Sequence, residues 1–303
     1  MFKTLVVIAG PTAVGKTALS IEIANCFNTE IISADSRQFY KEISIGTAKP
    51  TKKELGQCKH HFIGNISLKE QYSAAQFEHD SLSLCSSLFE LHDLIILTGG
   101  SGLYIDALCH GFDETPSSSP AVRKALDVLF KEKGIEALQQ RLSTIDPEYA
   151  AKVDINNPQR LMRALEINEV SGQNMSFFQK GQAKHRPFNI LKICLTMNRA
   201  MLYERINKRV DKMIKEGLED EALAWYHLKN LNALQTVGYK EFFDYFEGKM
   251  SYVDTVEKIK QNSRNYAKRQ LTWFKRDKLY HWFDVDLDKK NIIPFIQERL
   301  RTY

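Results

Sequence analysis

The stretch LVVIAGPTAVGKTALSIEIA, residues 5–24, constrains the fold more than any other part of the chain. An apolar run that ends on glycine and passes straight into an amphipathic stretch reads as a buried strand, a turn and a helix. Within it Gly10, Gly15, Lys16 and Thr17 fit the pattern G-x-x-x-x-G-K-[ST], which in that context marks a phosphate-binding loop of the ATP-binding type. The loop runs from Gly10 through Pro11, Thr12, Ala13, Val14 and Gly15 to Lys16 and Thr17. Its glycines let backbone N–H groups close around a diphosphate, and Lys16 adds a mobile positive charge. The Thr17 hydroxyl is offered to Mg²⁺, and the helix N-terminus favours the anion. A diphosphate held this way can be a transferred group, an energy source or a leaving group. The loop alone does not say which.

Further along, TEIISADS reads as a second strand, SAAQFEHDSLSLCSSLFELH as a helix and DLIILTGGSGLY as a third strand. Strands alternating with helices predict an α/β fold, a P-loop NTPase-like parallel sheet flanked by helices that binds ligands beyond the carboxyl ends of its strands. The pattern breaks at GFDETPSSSPAV, residues 111–122, whose Ser and Pro content predicts a linker. Helices alone follow. SPAVRKALDVLFKEKG opens on Ser-Pro and should stop at Gly134, and NNPQRLMRALEINEVSG repeats that grammar with Gly172 at its end. FNILKICLTM, residues 188–197, resumes the strands. RAMLYERINKRVDKMIKEG then aligns Leu202, Ile206, Val210 and Ile214 on one stripe, and LYHWFDVD reads as an edge strand. The expected organisation is a P-loop core of residues 1–112 and 187–303 with an all-helical insertion at 113–186.

Composition narrows the class. Of 303 residues 43% are hydrophobic and 26% charged, enough for a sizeable core, and a net charge of +5 permits an acidic partner without demanding one. Five scattered cysteines without a C-x-x-C pair argue against a disulfide framework or a zinc site. They fit reduced thiols in a cytoplasm. No apolar run approaches the roughly 20 residues of a membrane span. His60 and His61, adjacent on an extended segment, should point to opposite faces and read as structural.

A triphosphate hydrolase would carry a second acid at the end of a later apolar strand. LIILTGG ends instead in Thr98 and two glycines, with Asp93 at its wrong end. The acid that follows an apolar strand is Asp35, in EIISADS, which should lie near the phosphates. There it could hold Mg²⁺ indirectly or accept a proton from a nucleophile, while Asp-Ser is equally ordinary turn chemistry. These residues leave open a kinase of a nucleotide or small metabolite.

Seven segments then occur in order: GPTAVGKTALSIEIA, ISADSRQFYKEISIGTAKP, YSAAQFEHD, LTGGSGLYIDAL, NPQRLMRALEI, QTVGYKEF and AKRQLTWFKR. Together, from about residue 4 to 283, they closely resemble the bacterial tRNA dimethylallyltransferases, also called tRNA isopentenyltransferases. The resemblance implies transfer of the dimethylallyl group of dimethylallyl diphosphate to the exocyclic amine of the adenosine 3′ of the anticodon, in tRNAs reading codons that begin with U. The phosphate loop would then hold a leaving group. The resemblance also implies that Asp35 is the general base, that Thr17 holds Mg²⁺, and that Arg209 faces the diphosphate; read by itself, Arg209 is a solvated surface charge sharing a helix face with Arg205.

For tRNA the matching positions are Asp35, Ser36, Arg37 and Gln38, then Gln159, Arg160, Leu161, Met162 and Arg163, and then Gln235, Gly238 and Lys240. Ser101 and Arg123 match two more, Ser101 standing where Thr is commoner in the family. The stretch 258–278 carries eight Lys or Arg against one Asp, interleaved with Tyr266, Trp273 and Phe274, which suits phosphate contact and stacking. Trp273 and Phe274 read as core packing of an amphipathic helix, whatever the charges do. The expected partners are tRNA, through its anticodon stem-loop, and the prenyl diphosphate, with no membrane and the chain a monomer. Because the chain stops soon after the last matching segment, a C-terminal zinc-finger extension is not expected. Prenylation of free AMP is the alternative within the resemblance, and the helical insertion speaks for tRNA.

Overall fold

The computed structural model describes residues 3–179 and 184–302. Its centre is one six-stranded parallel sheet: β1 (Thr4–Ala9), β2 (Ile31–Ser33), β3 (His60–His61), β4 (Leu94–Gly99), β5 (Asn189–Thr196) and β6 (His281–Asp284), in the order β3-β2-β4-β1-β5-β6. All six residues of β1 are buried, as a strand covered on both faces requires. Its side chains alternate between two cores. Leu5, Val7 and Ala9 join Phe39, Phe77 and Phe242 on one face, and Val6 and Ile8 join Leu19, Ile23 and Leu202 on the other. The register β1–β4 ends at Ala9 opposite Gly99, so the turns after both strands open at the same edge.

The helices follow in chain order: α1 (Lys16–Phe27), α2 (Lys52–Leu55), α3 (Ala74–Leu91), α4 (Gly102–His110), α5 (Pro120–Ile145), α6 (Pro147–Ala150), α7 (Pro158–Ser171), α8 (Met175–Phe178), α9 (Arg199–Lys215), α10 (Leu218–Ala224), α11 (Tyr239–Phe246), α12 (Tyr252–Phe274) and α13 (Lys289–Thr302). The chain divides into two compact units, Met1–His110 with His185–Tyr303, and Gly111–Lys184.

In the smaller unit α5 and α7 bury Leu126, Leu138, Leu142, Leu161, Met162 and Leu165. The helix predicted to stop at Gly134 does so: Gly134 takes a non-helical φ of 74°, and a second helix follows across the kink to Ile145, so α5 is two helices joined there, the second burying Leu138 and Leu142. The serines predicted as a loose linker are tied. Glu166, 1% exposed, accepts from Ser118 Oγ at 2.5 Å and from the Ser119 N–H at 2.9 Å.

Among the described residues no helix is long and apolar enough to cross a membrane. The five cysteines are all free thiols.

Candidate active site

The turn after β1 carries the phosphate loop. Gly10 there has φ 148°, and a Cβ would meet the Leu195 carbonyl oxygen at 2.8 Å, so the loop can descend onto β5 only without a side chain. Ala13 sits at φ 65°, a left-handed conformation unusual for a residue with a Cβ. Lys16, the first residue of α1, donates to the Gly10 and Pro11 carbonyls at 2.9 Å each. Burial, reinforced by the charge of Arg209, pulls its pKa down to about 8 against the opposing pull of Asp35. Val14 is buried, while Thr17 is partly exposed and lines a cavity of about 40 Å³ with Lys16, Ser33, Asp35, Gln38 and Thr98.

Asp35 stands just beyond β2. Its Oδ1 accepts the Arg37 N–H at 3.1 Å, which is turn chemistry, but the carboxylate does more than cap. Burial raises its pKa above the ordinary carboxylate value, with the Arg37 N–H and Lys16 opposing. Beyond the phosphate-side cavity, Asp35 lines a second one of about 100 Å³. That cavity has an apolar side of Ile206, Val210, Met213, Leu218 and Ile259, and a polar side that includes Thr12, Arg209 and Tyr266. Arg209 is therefore no surface charge: its Nη1 donates to Thr12 Oγ1 at 3.2 Å and burial lowers its pKa. Arg205, one turn away, reaches Asp286 at 3.7 Å instead.

A wider cleft of about 570 Å³ adjoins this cavity and shares Arg37, Thr236, Val237 and Tyr266 with it. Ser36, Gln235 and Lys240 line the cleft, and Gly238 lines the smaller cavity. Ser101, at the turn after β4, accepts the Ser36 N–H at 3.0 Å and donates to Ser36 Oγ at 3.2 Å. Gln38 donates to the Thr47 and Ala48 carbonyls at 3.2 and 3.1 Å, bracing the IGTAKP segment. Of the basic stretch, Lys258 and Arg269 line the cleft. Lys260 pairs with Asp211 at 2.8 Å and Arg264 donates to Asn207 at 2.7 Å.

The remaining predicted residues belong to the helical unit. Gln159 and Arg160 are exposed at the start of α7. The Arg123 guanidinium bonds Gln159. Arg163 donates to Glu166 at 3.1 Å and to the Pro116 carbonyl at 2.7 Å. Leu161 and Met162 must be corrected as RNA contacts: both side chains are 0% exposed in the core of that unit, where they support their polar neighbours.

Three features escape a reading of the sequence. Gln270 on α12 accepts the Thr12 N–H at 2.8 Å and donates to the Gly100 carbonyl at 2.9 Å, stitching the phosphate loop to the turn after β4. Glu221 on α10 accepts the N–H groups of Ser44, Ile45 and Gly46 at 2.7, 3.0 and 2.9 Å and the Tyr239 hydroxyl at 2.5 Å, which holds the IGTAKP segment against the cavity. The two histidines also divide: His61 bonds Glu30 at 2.6 Å, whereas His60 lines the phosphate-side cavity. Among the described residues no group of three or more His, Cys, Asp or Glu is arranged to hold a metal ion.

A family model described as IPP transferase matches residues 38–277. tRNA dimethylallyltransferase 1 of Bacteroides fragilis is 47% identical over 299 residues, covering 99% of each chain. The tRNA dimethylallyltransferase of Christiangramia forsetii is 48% identical over 302 residues, covering both chains fully. Among solved structures, the full-length tRNA isopentenylpyrophosphate transferase of Bacillus halodurans superposes with a TM-score of 0.74 at 39% identity, over 99% of this chain and 97% of that one. A eukaryotic dimethylallyltransferase acting on tRNA superposes with a TM-score of 0.75 at 28% identity, over 93% of this chain and 74% of that one. With a likeness that runs the whole length in sequence and is matched in fold, the chain belongs to the tRNA dimethylallyltransferases, prenyltransferases that modify tRNA.

Proposed function

We propose that the chain moves the dimethylallyl group of dimethylallyl diphosphate to the exocyclic N6 amine of the adenosine 3′ of the anticodon, in tRNAs reading codons that begin with U. The observation that carries this reading is the position of Asp35, which borders both the phosphate-loop cavity and the half-apolar cavity that opens toward the cleft. A donor with a diphosphate head and a five-carbon apolar tail suits those two neighbouring environments.

In the reaction, the bond from the allylic carbon to the diphosphate oxygen breaks and its electron pair leaves with diphosphate. The N6 lone pair forms the new bond to carbon, and the N6 proton passes to Asp35. An adenine amine is a weak nucleophile because its lone pair is delocalised into the ring, so a carboxylate that accepts the proton during attack matters. The raised pKa of Asp35 makes it a stronger base than an ordinary carboxylate. Lys16, Arg209 and the amides opening α1 face the charge that grows on the leaving group, and such preorganised charge costs no rearrangement at the moment of reaction. Magnesium fits the oxygen donors of this cavity: Thr17 would hold it, with the Asp35 carboxylate lining the same space. When bound, the ion neutralises part of the diphosphate charge.

The adenosine leaves its stack and enters through the cleft, as enzymes that modify a base require. Ser36, Arg37, Gln38, Ser101, Gln235, Gly238 and Lys240 receive the RNA on the sheet unit, and Arg123, Gln159, Arg160 and Arg163 receive the anticodon stem-loop on the helical unit. The enzyme acts as a cytoplasmic monomer.

The test is transfer of label from radiolabelled dimethylallyl diphosphate with Mg²⁺ and without ATP. The acceptors are unmodified tRNA transcripts whose anticodons do or do not end in A, and AMP. Label confined to transcripts with the terminal A, at the adenosine 3′ of the anticodon, is the expected result. Label in AMP alone refutes the tRNA acceptor, and label in every transcript refutes the codon rule.

A further inference from the structure

We infer that the ring of Tyr266 is the surface on which the acceptor adenine stacks as it passes from the cleft to Asp35. The inference rests on the proposed adenine acceptor and assigns to it a residue that the reaction chemistry does not require. Of the four residues bordering both the cleft and the Asp35 cavity, Arg37, Thr236, Val237 and Tyr266, only the tyrosine has an aromatic face. Arg37 is engaged elsewhere, its guanidinium donating to the Asn232 carbonyl at 2.9 Å and Oδ1 at 3.3 Å.

The tyrosine is also held in place before any ligand arrives. It lies on the face of α12 that presents Ile259 and Ser263 to the cavity, one turn before the Gln270 that anchors the phosphate loop. Burial pushes its pKa up to about 12, with Ser101 near its hydroxyl among the opposing influences, so it keeps its proton. Ser101 is in turn bonded to Ser36 through both the backbone and the side chain. The Arg269 guanidinium lies over the ring at 5.8 Å. A ring already placed by its helix loses little entropy when a purine lies on it, and a flipped base that has lost its neighbours regains a stacking partner there.

The experiment compares Tyr266→Phe and Tyr266→Leu with the wild-type chain. One readout is steady-state transfer to an anticodon stem-loop RNA. The other is quenching of 2-aminopurine placed at the target position, which reports stacking and cannot itself be prenylated. Tyr266→Phe should keep kcat/KM for RNA within about threefold. Tyr266→Leu should lose roughly 10- to 100-fold, the range of one base–aromatic stack, together with the quenching. Inorganic pyrophosphate should bind all three proteins alike.

Equal losses in Phe and Leu would assign the effect to the hydroxyl and overturn the inference. Unchanged quenching in Leu, or an equal loss of pyrophosphate binding, would overturn it too. A stem-loop carrying 8-azidoadenosine at the target position tests the wild-type chain without any substitution: photocrosslinking at Tyr266 supports the stack, and crosslinking elsewhere refutes it. Absence of transfer by the wild-type chain would instead be a failure of the proposed acceptor, which the crosslink position distinguishes.

Discussion

Gln270 offers the sharpest test of how this site is assembled. Replacing it with methionine keeps the length of the side chain and removes its amide. The Gly100 carbonyl is buried and loses its Gln270 donor, and the Thr12 N–H, part-buried, loses its Gln270 acceptor. Leaving a buried polar group unsatisfied costs about 1–3 kcal/mol, so the pair should cost about 2–5 kcal/mol, the part-buried amide contributing the smaller share. With an unfolding entropy of roughly 2 cal/mol/K per residue, that corresponds to a melting point lower by about 3–8 °C for a chain of this length.

Thr12 also accepts from Arg209, so a phosphate loop released at Thr12 turns Arg209 away from the leaving group. Turnover should therefore fall by more than the loss of stability explains, and pyrophosphate affinity should fall with it at temperatures where the variant is fully folded. Calorimetric melting and pyrophosphate titration would measure the two effects. A variant that melts with the wild type and binds pyrophosphate as tightly would show that the two hydrogen bonds do not hold the loop. One that melts lower yet keeps full affinity and turnover would show that they stabilise the fold without positioning the site.

Asp35→Ala should reduce kcat by roughly 10² to 10⁴, the usual contribution of a general base, with donor binding little changed; wild-type turnover would end its assignment as the base. Lys16, a base whose pKa is lowered to about 8, loses its charge as pH rises through that value in the free enzyme, so kcat/KM for the donor should decline above about pH 8. Bound diphosphate favours the proton, so kcat should hold to higher pH, and a kcat/KM flat to pH 10 would contradict the buried-lysine argument. Glu221→Gln can no longer accept from three N–H groups and the Tyr239 hydroxyl at once and should cost about 2–4 kcal/mol, read from the urea midpoint. Arg123→Ala should weaken tRNA binding in a filter assay and leave the donor KM unchanged; an equal loss of both would place Arg123 outside the RNA contacts.

Much of the core was legible because its signals are local. The strand, glycine loop and helix at residues 5–24 lie consecutively in the chain, and the buried stripe of Leu202, Ile206 and Val210 follows the helical period. What the sequence hid depends on partners far away in the chain. Arg205 and Arg209 are indistinguishable by period, yet one reaches Asp286 and the other Thr12, because a long side chain chooses its end by what surrounds it. The strand His60–His61 pairs at two positions only, too few for any alternation to show.

The motifs that look most chemical turn out to carry as much packing as chemistry. A Cβ on Gly100 would stand 2.2 Å from the Gln270 amide nitrogen, and one on Gly102 would stand 2.2 Å from the Trp273 ring. Trp273 in turn donates its indole N–H to Asp106 on α4 at 2.9 Å. The glycine turn after β4 and the AKRQLTWF segment of α12 are thus two halves of one close contact, some 170 residues apart. Neither half can change without the other, so a chain that carries both has the backbone approach that sets Thr12, Gly100 and Ser101 around the site. Such a pair is more specific than the phosphate loop, which only requires that an anion be bound. That difference explains why the loop left the chemistry open while the paired segments narrowed it to one family.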